Sequence, residues 1–200
     1  METGEDFSDQ LEAWLESDEP KTLGALGAVF EEKSFAVTVL LLMFLPALPL
    51  PTGGITHVFE LITVLLTAQM VVGRRTIWLP ERLQRRELGS ALTGKAIPFI
   101  VRRVRWFEHF SRPRGARLFA HRWFVQLLGL LLMAFAVAAA VAPPFSGLDT
   151  LPALGAVVVC LAMILEDVLV LGIGAAIGLG GVALIVTIGA ALARGIGHFV

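Results

Sequence analysis

Residues 34–76 read SFAVTVLLLMFLPALPLPTGGITHVFELITVLLTAQMVVGRRT, two apolar runs flanking the break PALPLPTGG. The first run, Phe35 to Leu45, is shorter than the ~20 helical residues needed to cross a ~30 Å hydrocarbon core. Each proline in the break removes a backbone donor and clashes with the preceding helical turn; the three are Pro46, Pro49 and Pro51. We therefore expect the chain to enter a bilayer, break partway and return as a second helix over residues 55–73.

The composition places this break in a membrane protein. Of the 200 residues, 56% are hydrophobic and the mean hydropathy is +0.78, whereas soluble domains have ~45–50% apolar residues. Irregular backbone at membrane depth is tolerated only where it is buried in protein or lines a wet cavity. Transporters commonly place their binding sites at such breaks. The predicted fold class is an all-α integral membrane protein, a helical bundle with cytoplasmic or interfacial amphipathic helices.

The charges are strongly segregated. Residues 1–33 hold ten acids but only Lys21 and Lys33 as bases, and residues 74–122 hold thirteen of the sixteen basic residues. The positive-inside rule assigns the Arg-rich 74–122 segment to the cytoplasm. Its arginines are either solvated and lipid-facing or hold a specific anionic ligand, and membrane lipids are expected partners in both cases.

Four segments follow from these patterns. Residues 1–33 form acidic amphipathic N-terminal helices, and residues 34–76 form a first membrane repeat. Residues 77–122 are an Arg-rich interfacial linker. Residues 123–200 form a second membrane repeat that ends in Gly-rich helices, whose small-xxx-small spacing suits close helix packing.

The two apolar halves resemble each other. LLLMF (40–44) has a counterpart in LLLMA (130–134), and PTGGIT (51–56) in PFSGLD (144–149), a second break that contains Pro143 and Pro144. TAQMVVGR (67–74) then falls on CLAMILED (160–167) without a further gap. Each half is thus predicted to be a pseudo-repeat with a Pro/Gly-broken, re-entrant or split hairpin. Chance similarity is the alternative, and parallel and inverted arrangements both remain open.

A polar stripe runs along the helix that follows the first break. Its members step by four, four, three, four and seven residues, which keeps them on one narrow helical face; they are Thr52, Thr56, Glu60, Thr63, Thr67 and Arg74. A carboxyl group at this depth is costly and usually points at a cavity or a partner. We predict that Glu60 couples to a proton or cation; the alternative is a protonated or backbone-bonded structural residue.

The break also offers an anion site. Gly53 and Gly54 present free N–H groups at a helix N-terminus, and Thr52 is a natural N-cap. We expect these residues, with the other polar and basic groups of the first repeat, to hold a phosphate-like group; those groups are Thr56, His57, Arg74 and Arg75. Alternatively PTGG merely forms the turn, and His57 is a hydrogen-bonded core residue.

Glu166 and Asp167 form a second charged cluster. If buried, they need cations, and Arg74 or Arg75 are the expected ion-pair partners. At the membrane interface, the same acids would only stop a helix.

Enzyme signatures are poor. The sequence shows no zinc-ligand spacing, no P-loop and no Gly-x-Ser-x-Gly. We expect no enzyme activity, catalytic residue, metal or cofactor, and no nucleic-acid partner. An intramembrane transferase or phosphatase would need a nucleophile or metal constellation that the sequence does not present.

LPALPLPTGGITHVFELITVLLTAQMVVGRRTIWLP (45–80), with the Glu-Asp-bearing helix near 166, resembles the ExoD exopolysaccharide-synthesis membrane protein family. The resemblance covers nearly the whole chain, although Glu-Asp-Val (166–168) replaces an expected acidic–glycine step. It implies a multi-pass protein of the bacterial inner membrane that is linked to exopolysaccharide production. The paired broken hairpins also look like the DedA superfamily, a likeness of architecture only.

The sequence is compatible with two functions. The first is a small transporter or lipid-carrier translocase for a polyprenyl-phosphate or phospholipid-like substrate, proton-coupled through Glu60. The second is a non-catalytic accessory subunit of a polysaccharide-synthesis complex. Either protein is expected to form homo-oligomers, most simply dimers, through its Gly-rich surfaces.

Overall fold

The computed structural model describes residues 7–17, 20–22, 33–48, 55–74, 77–78, 80, 97–98, 101–102, 115–143 and 146–197. The predicted all-helical class is confirmed over these ranges, which contain helices but no strands. The helices are α1 (Phe7–Glu16), α2 (Ser34–Phe44), α3 (Ile55–Val72), α4 (Ala116–Phe119), α5 (Arg122–Val141), α6 (Thr150–Leu165) and α7 (Val168–Gly197).

Prolines mark the ends of α2 and α5. Helix α2 ends at Phe44 and is followed by a turn that contains the buried Pro46. Helix α5 ends at Val141, and Ala142 is extended immediately before Pro143, as the proline ring demands of its predecessor. Residues 34–72 are therefore two helices rather than one rod. Pro49, Pro51 and Pro144 lie outside the described residues.

Helix α2 forms the centre of the bundle. Its ten residues from Ser34 to Met43 are all buried, which suits a helix that is apolar on every side. It packs chiefly against α6 and also against α3, whereas α3 packs chiefly against α5. Each hairpin thus places its first helix on the second helix of the other hairpin.

Helices α5 and α7 are long and apolar enough to cross a membrane. Only 33% of the most apolar window of α5 and 22% of that of α7 are buried. A core helix of similar composition would be mostly covered by protein, so both helices present extensive apolar surface. The exposed side chains include Leu130, Val137 and Val141 on α5, and Ile173, Leu184 and Val186 on α7.

Glycines allow α6 and α7 to approach closely. A Cβ atom at Gly155 of α6 would lie 2.3 Å from the Cα of Gly178 on α7. A Cβ atom at Gly178 would lie 2.2 Å from the ring of Phe135 on α5, so this glycine also allows α5 to approach α7. The Gly-rich segment, expected to contain more than one helix, forms the continuous α7. Contact with α6 offsets the low helix propensity of these inward-facing glycines.

Cross-hairpin hydrogen bonds show which helix ends lie together. The Lys33 ammonium, just before α2, donates to the Ile164 carbonyl near the end of α6 at 2.8 Å. Arg122, the first residue of α5, donates to the Gly73 carbonyl after α3 at 3.4 Å. We call this the basic end of the bundle: it gathers the starts of α2 and α5 and the ends of α3 and α6. The opposite end, where the two breaks lie, is the break end.

Candidate functional site

Glu60 lies on α3 with no exposed surface. The predicted polar stripe is a buried face of that helix, since Thr56, Thr63 and Thr67 are also at most 3% exposed. Residues 55–60 form the first turns of α3, so the carboxyl group lies near the break end.

Two hydroxyls of the stripe are satisfied by the backbone of α3 itself. Thr63 donates to the Phe59 carbonyl at 2.9 Å, and Thr67 donates to the Thr63 carbonyl at 2.8 Å. Such i−4 bonds are a common way for threonine to sit within an apolar helix. They satisfy the hydroxyl groups of Thr63 and Thr67, and Glu60 is the one ionisable residue among the buried members of this face.

His57 is the group that approaches the buried carboxyl. Its Nδ1 lies 3.2 Å from Glu60 Oε2, one helical turn away. The two atoms are not aligned as a hydrogen bond, and neither Glu60 oxygen has a hydrogen-bond partner within the described part of the chain. The Nδ1 atom is itself buried, whereas 33% of the His57 side chain is exposed. The imidazole thus connects the carboxyl to the surface of the fold.

A second carboxyl group comes from the other half of the chain. Asp149, immediately before α6, lies close enough to Glu60 for their negative charges to repel. The first turns of α3 and the start of α6 therefore lie near each other. Among the described residues, no three His, Cys, Asp or Glu side chains are arranged to hold a metal ion. A buried carboxyl beside an imidazole is suited to bind and release a proton.

The structure does not bring the predicted anion-binding residues together. Arg74 is exposed at the basic end, beyond the last residue of α3, whereas Thr56 and His57 lie in the first turn of that helix. A straight helix separates His57 from Arg74 by about 25 Å, too far for both to hold one phosphate. The remaining predicted members, Thr52, Gly53, Gly54 and Arg75, lie outside the described residues.

Glu166 pairs with a cation other than the predicted arginines. Lys33 Nζ lies 3.3 Å from Glu166 Oε1, because the packing of α2 on α6 places the start of one helix beside the end of the other. Asp167 accepts a hydrogen bond from the Leu169 N–H at 2.8 Å. This is an N-cap contact for α7, so the two acids both serve helix ends.

Sequence reasoning missed Lys33 and Asp149, and it expected Gln69 to cross-link helices. The Gln69 amide exchanges two 2.8 Å hydrogen bonds with the backbone of Trp78, fixing the chain just after α3. Lys33 gave no signal because its partners are more than 130 residues away. Asp149 did give a signal, because it aligns with Thr56 of the polar stripe in the proposed repeat.

Comparison with known proteins identifies the family. A family model described as "Exopolysaccharide synthesis, ExoD" matches residues 7–187. An uncharacterized protein of Synechocystis sp. is 27% identical over 150 residues, which cover 74% of this chain and 68% of that relative. No solved structure matches the chain. With the family model covering most of its length, the chain belongs to the ExoD family of exopolysaccharide synthesis.

Proposed function

We propose that this ExoD-family protein is a proton-coupled translocase of the bacterial inner membrane that moves an anionic lipid carrier used in exopolysaccharide production. The substrate would be a polyprenyl phosphate or a related phospholipid. The single observation that carries this proposal is the Glu60 carboxyl, fully buried and approached by His57 alone among the described donors. A fold has no packing reason to bury an acid without a donor.

The apolar surface of α5 and α7 supports membrane insertion. Gly181 of α7 packs against Leu151 and Pro152 at the start of α6, which places the break end about 20 Å along α7 from Val168. Helix α7 continues for 16 residues beyond that level. If α7 crosses a ~30 Å hydrocarbon core, both breaks lie within the lipid. This is the arrangement expected of re-entrant hairpins.

Exposed charges support one orientation. Arg74, Arg117 and Arg122 are exposed at or near the basic end, and Trp78 and Trp123 are each 54% exposed there. Arginine and tryptophan together are typical of a membrane–water interface, and an excess of arginine marks the cytoplasmic side. We therefore assign the basic end to the cytoplasm, where it can attract anionic lipids.

The helix pairing supports two pseudo-repeats. Exchanging the hairpins converts the α2–α6 contact into the α5–α3 contact. In each pair a basic residue at the start of the first helix, Lys33 or Arg122, donates to a backbone carbonyl near the end of the second. Both hairpins begin and end at the basic end, so an axis along the membrane normal relates them. Inverted repeats would place these ends on opposite faces.

A groove supports the choice of a lipid substrate. It lies between α5 and α7 with a volume of about 420 Å³, and its lining is apolar, including Leu130, Val137, Val141, Val182 and Val186. A hydrocarbon chain suits such a lining. The outward glycines Gly172 and Gly180 on α7 would allow a second copy to pack closely, so we propose a homodimer as the working unit.

Reconstituted transport tests the proposal. Purified full-length protein in liposomes, with labelled polyprenyl phosphate and an imposed pH gradient, should move the lipid between leaflets. Glu60→Gln keeps the shape of the side chain but removes the proton, and its transport should no longer respond to the gradient. Equal, gradient-dependent transport by wild type and Glu60→Gln would refute proton coupling through Glu60. Absence of transport by the wild type, with copurification of a synthase through the Arg-rich linker, would favour the accessory-subunit alternative.

A further inference from the structure

We infer that His57 is the proton entry residue for Glu60, and that it takes protons from the break end rather than from the basic end. The inference deepens the proposed function, because it names the route by which the coupling proton arrives.

The inference rests on the position of the His57 imidazole, which is buried on the side of Glu60 and exposed on the other side. Nδ1 is buried and lies 3.2 Å from Glu60 Oε2, while a third of the side chain reaches the surface. Glu60 itself has no exposed surface, so the imidazole reaches the surface of the fold and the carboxyl does not. Within the described residues, His57 is the exposed titratable side chain in contact with Glu60.

Among the described residues, the charged groups that act on Glu60 are His57 and Asp149, and His57 is the one at hydrogen-bond distance from the carboxyl. Helix α2 carries no charged residue, and the one charge on α5, Arg122, lies at the basic end. The facing charge from α6 is Asp149, just before its first residue.

The step is a balanced proton transfer. Hydronium at the break end protonates the free Nε2 of the Nδ1–H tautomer of His57, and the resulting imidazolium gives its Nδ1 proton to Glu60 Oε2. The ring is left as the Nε2–H tautomer, and a ring flip returns a protonated nitrogen to the carboxyl side for the next transfer. The reverse sequence releases the proton. A small rotation of either side chain is enough to align the two atoms, because they already lie at hydrogen-bond distance.

The direction follows from the position of His57 on α3. His57 is the third residue of that helix, whereas the Arg122 and Lys33 contacts gather the opposite ends of the hairpins. If the basic end faces the cytoplasm, protons reach Glu60 from the external side, through a water-filled recess of the kind that irregular backbone at membrane depth can line. The inward proton gradient can then load the site.

Infrared spectroscopy of the full-length protein in liposomes tests the relay without any transported substrate. After a pH jump, the carbonyl band of protonated Glu60, identified by its loss in Glu60→Gln, should appear at least about tenfold more slowly in His57→Gln than in wild type. His57→Asn should behave in the same way. Added imidazole should restore the rate in His57→Ala, an effect that a purely structural histidine would not produce. Unchanged rates in His57→Gln and His57→Asn would overturn the relay, whatever the result of the transport assay.

Thiol labelling tests the direction. In whole cells, a membrane-impermeant maleimide should label His57→Cys, while Arg117→Cys at the exposed start of α4 should react only after the cells are opened. The wild type is the blank, because its Cys160 is fully buried. Labelling of both variants only in opened cells would overturn the external route. A failed transport assay with intact relay kinetics would refute the proposed function and leave the relay standing.

Discussion

Gly73 and Glu166 end α3 and α6 in the same left-handed backbone conformation, with φ of 81° and 54°. The next residue repeats the match: the Arg74 N–H donates to the Gln69 carbonyl at 3.0 Å, and the Asp167 N–H donates to the Ala162 carbonyl at 3.1 Å. Both are the long hydrogen bond of a Schellman-type helix end. Since 73 falls on 166 in the ungapped alignment of the two halves, the shared ending is independent support for a repeat.

Gly73→Ala should destabilise the protein. A Cβ atom in the left-handed region costs about 1–2 kcal/mol, and here it would also lie 2.7 Å from the Arg122 side chain. We expect a lower free energy of unfolding by about that amount, measured by denaturant titration in detergent micelles. Gly172→Ala is the matched control, because a Cβ at Gly172 meets nothing within 4 Å. If both variants lose equal stability, the left-handed cap is not the cause.

Glu166→Gly should leave stability within about 1 kcal/mol of wild type. Glycine relieves the left-handed strain at φ 54°, but the variant loses the pair with Lys33, whose two side chains are 42% and 32% exposed. Partly exposed pairs contribute about 0–1 kcal/mol, so the two effects largely offset each other. Glu166→Ala keeps the strain and loses the pair, and it should therefore unfold more easily than Glu166→Gly. Because both variants lose the ion pair, the opposite order would show that the left-handed strain at residue 166 is smaller than the entropic cost of glycine.

Local chemistry is the part of the fold that the sequence could predict. The prolines predicted that α2 and α5 end near residues 45 and 142. The spacing of the polar residues, three or four apart, predicted one shared helical face, which is buried; its members are Thr56, Glu60, Thr63 and Thr67. Each inference needs only the geometry of a single helix.

Relations between distant helices could not be predicted in the same way. The cation beside Glu166 and the carboxyl near Glu60 depend on which helix packs against which, and no local pattern encodes that choice. Arg74 and His57 lie near opposite ends of α3, because that helix is uninterrupted from Ile55 to Val72. The polar stripe shows that they share a helical face but not how far apart they lie. The start of α2 lies beside the end of α6 from the other hairpin. This packing places Lys33 next to Glu166, where the sequence predicted Arg74 or Arg75.

Gly178→Ala should be far more damaging than Gly180→Ala, two residues further along α7. The added methyl at 178 would lie 2.2 Å from the Phe135 ring, whereas the one at 180 meets nothing within 4 Å. Overpacking of this kind typically costs about 1–3 kcal/mol, while alanine for an open helical glycine gains about 0.5–1 kcal/mol. Thermal unfolding of both variants in the same detergent measures the difference. Similar midpoints would mean that α5 and α7 do not pack as closely as the structure has them.

Glu60→Met should stabilise the fold and abolish proton-coupled function. Methionine has a similar length, fills the buried space and removes a carboxyl that has no hydrogen-bond donor in the described part of the chain. An unsatisfied buried polar group costs about 1–3 kcal/mol, so the free energy of unfolding should rise by an amount of that order. The matched control is Thr67→Val, which removes a hydroxyl that is bonded to the Thr63 carbonyl and should not raise stability. A functional residue retained at the expense of stability gives this combination of a stronger fold and lost activity. If Glu60→Met instead unfolds more easily than wild type, the carboxyl is held by a structural contact, and its assignment as a proton site fails.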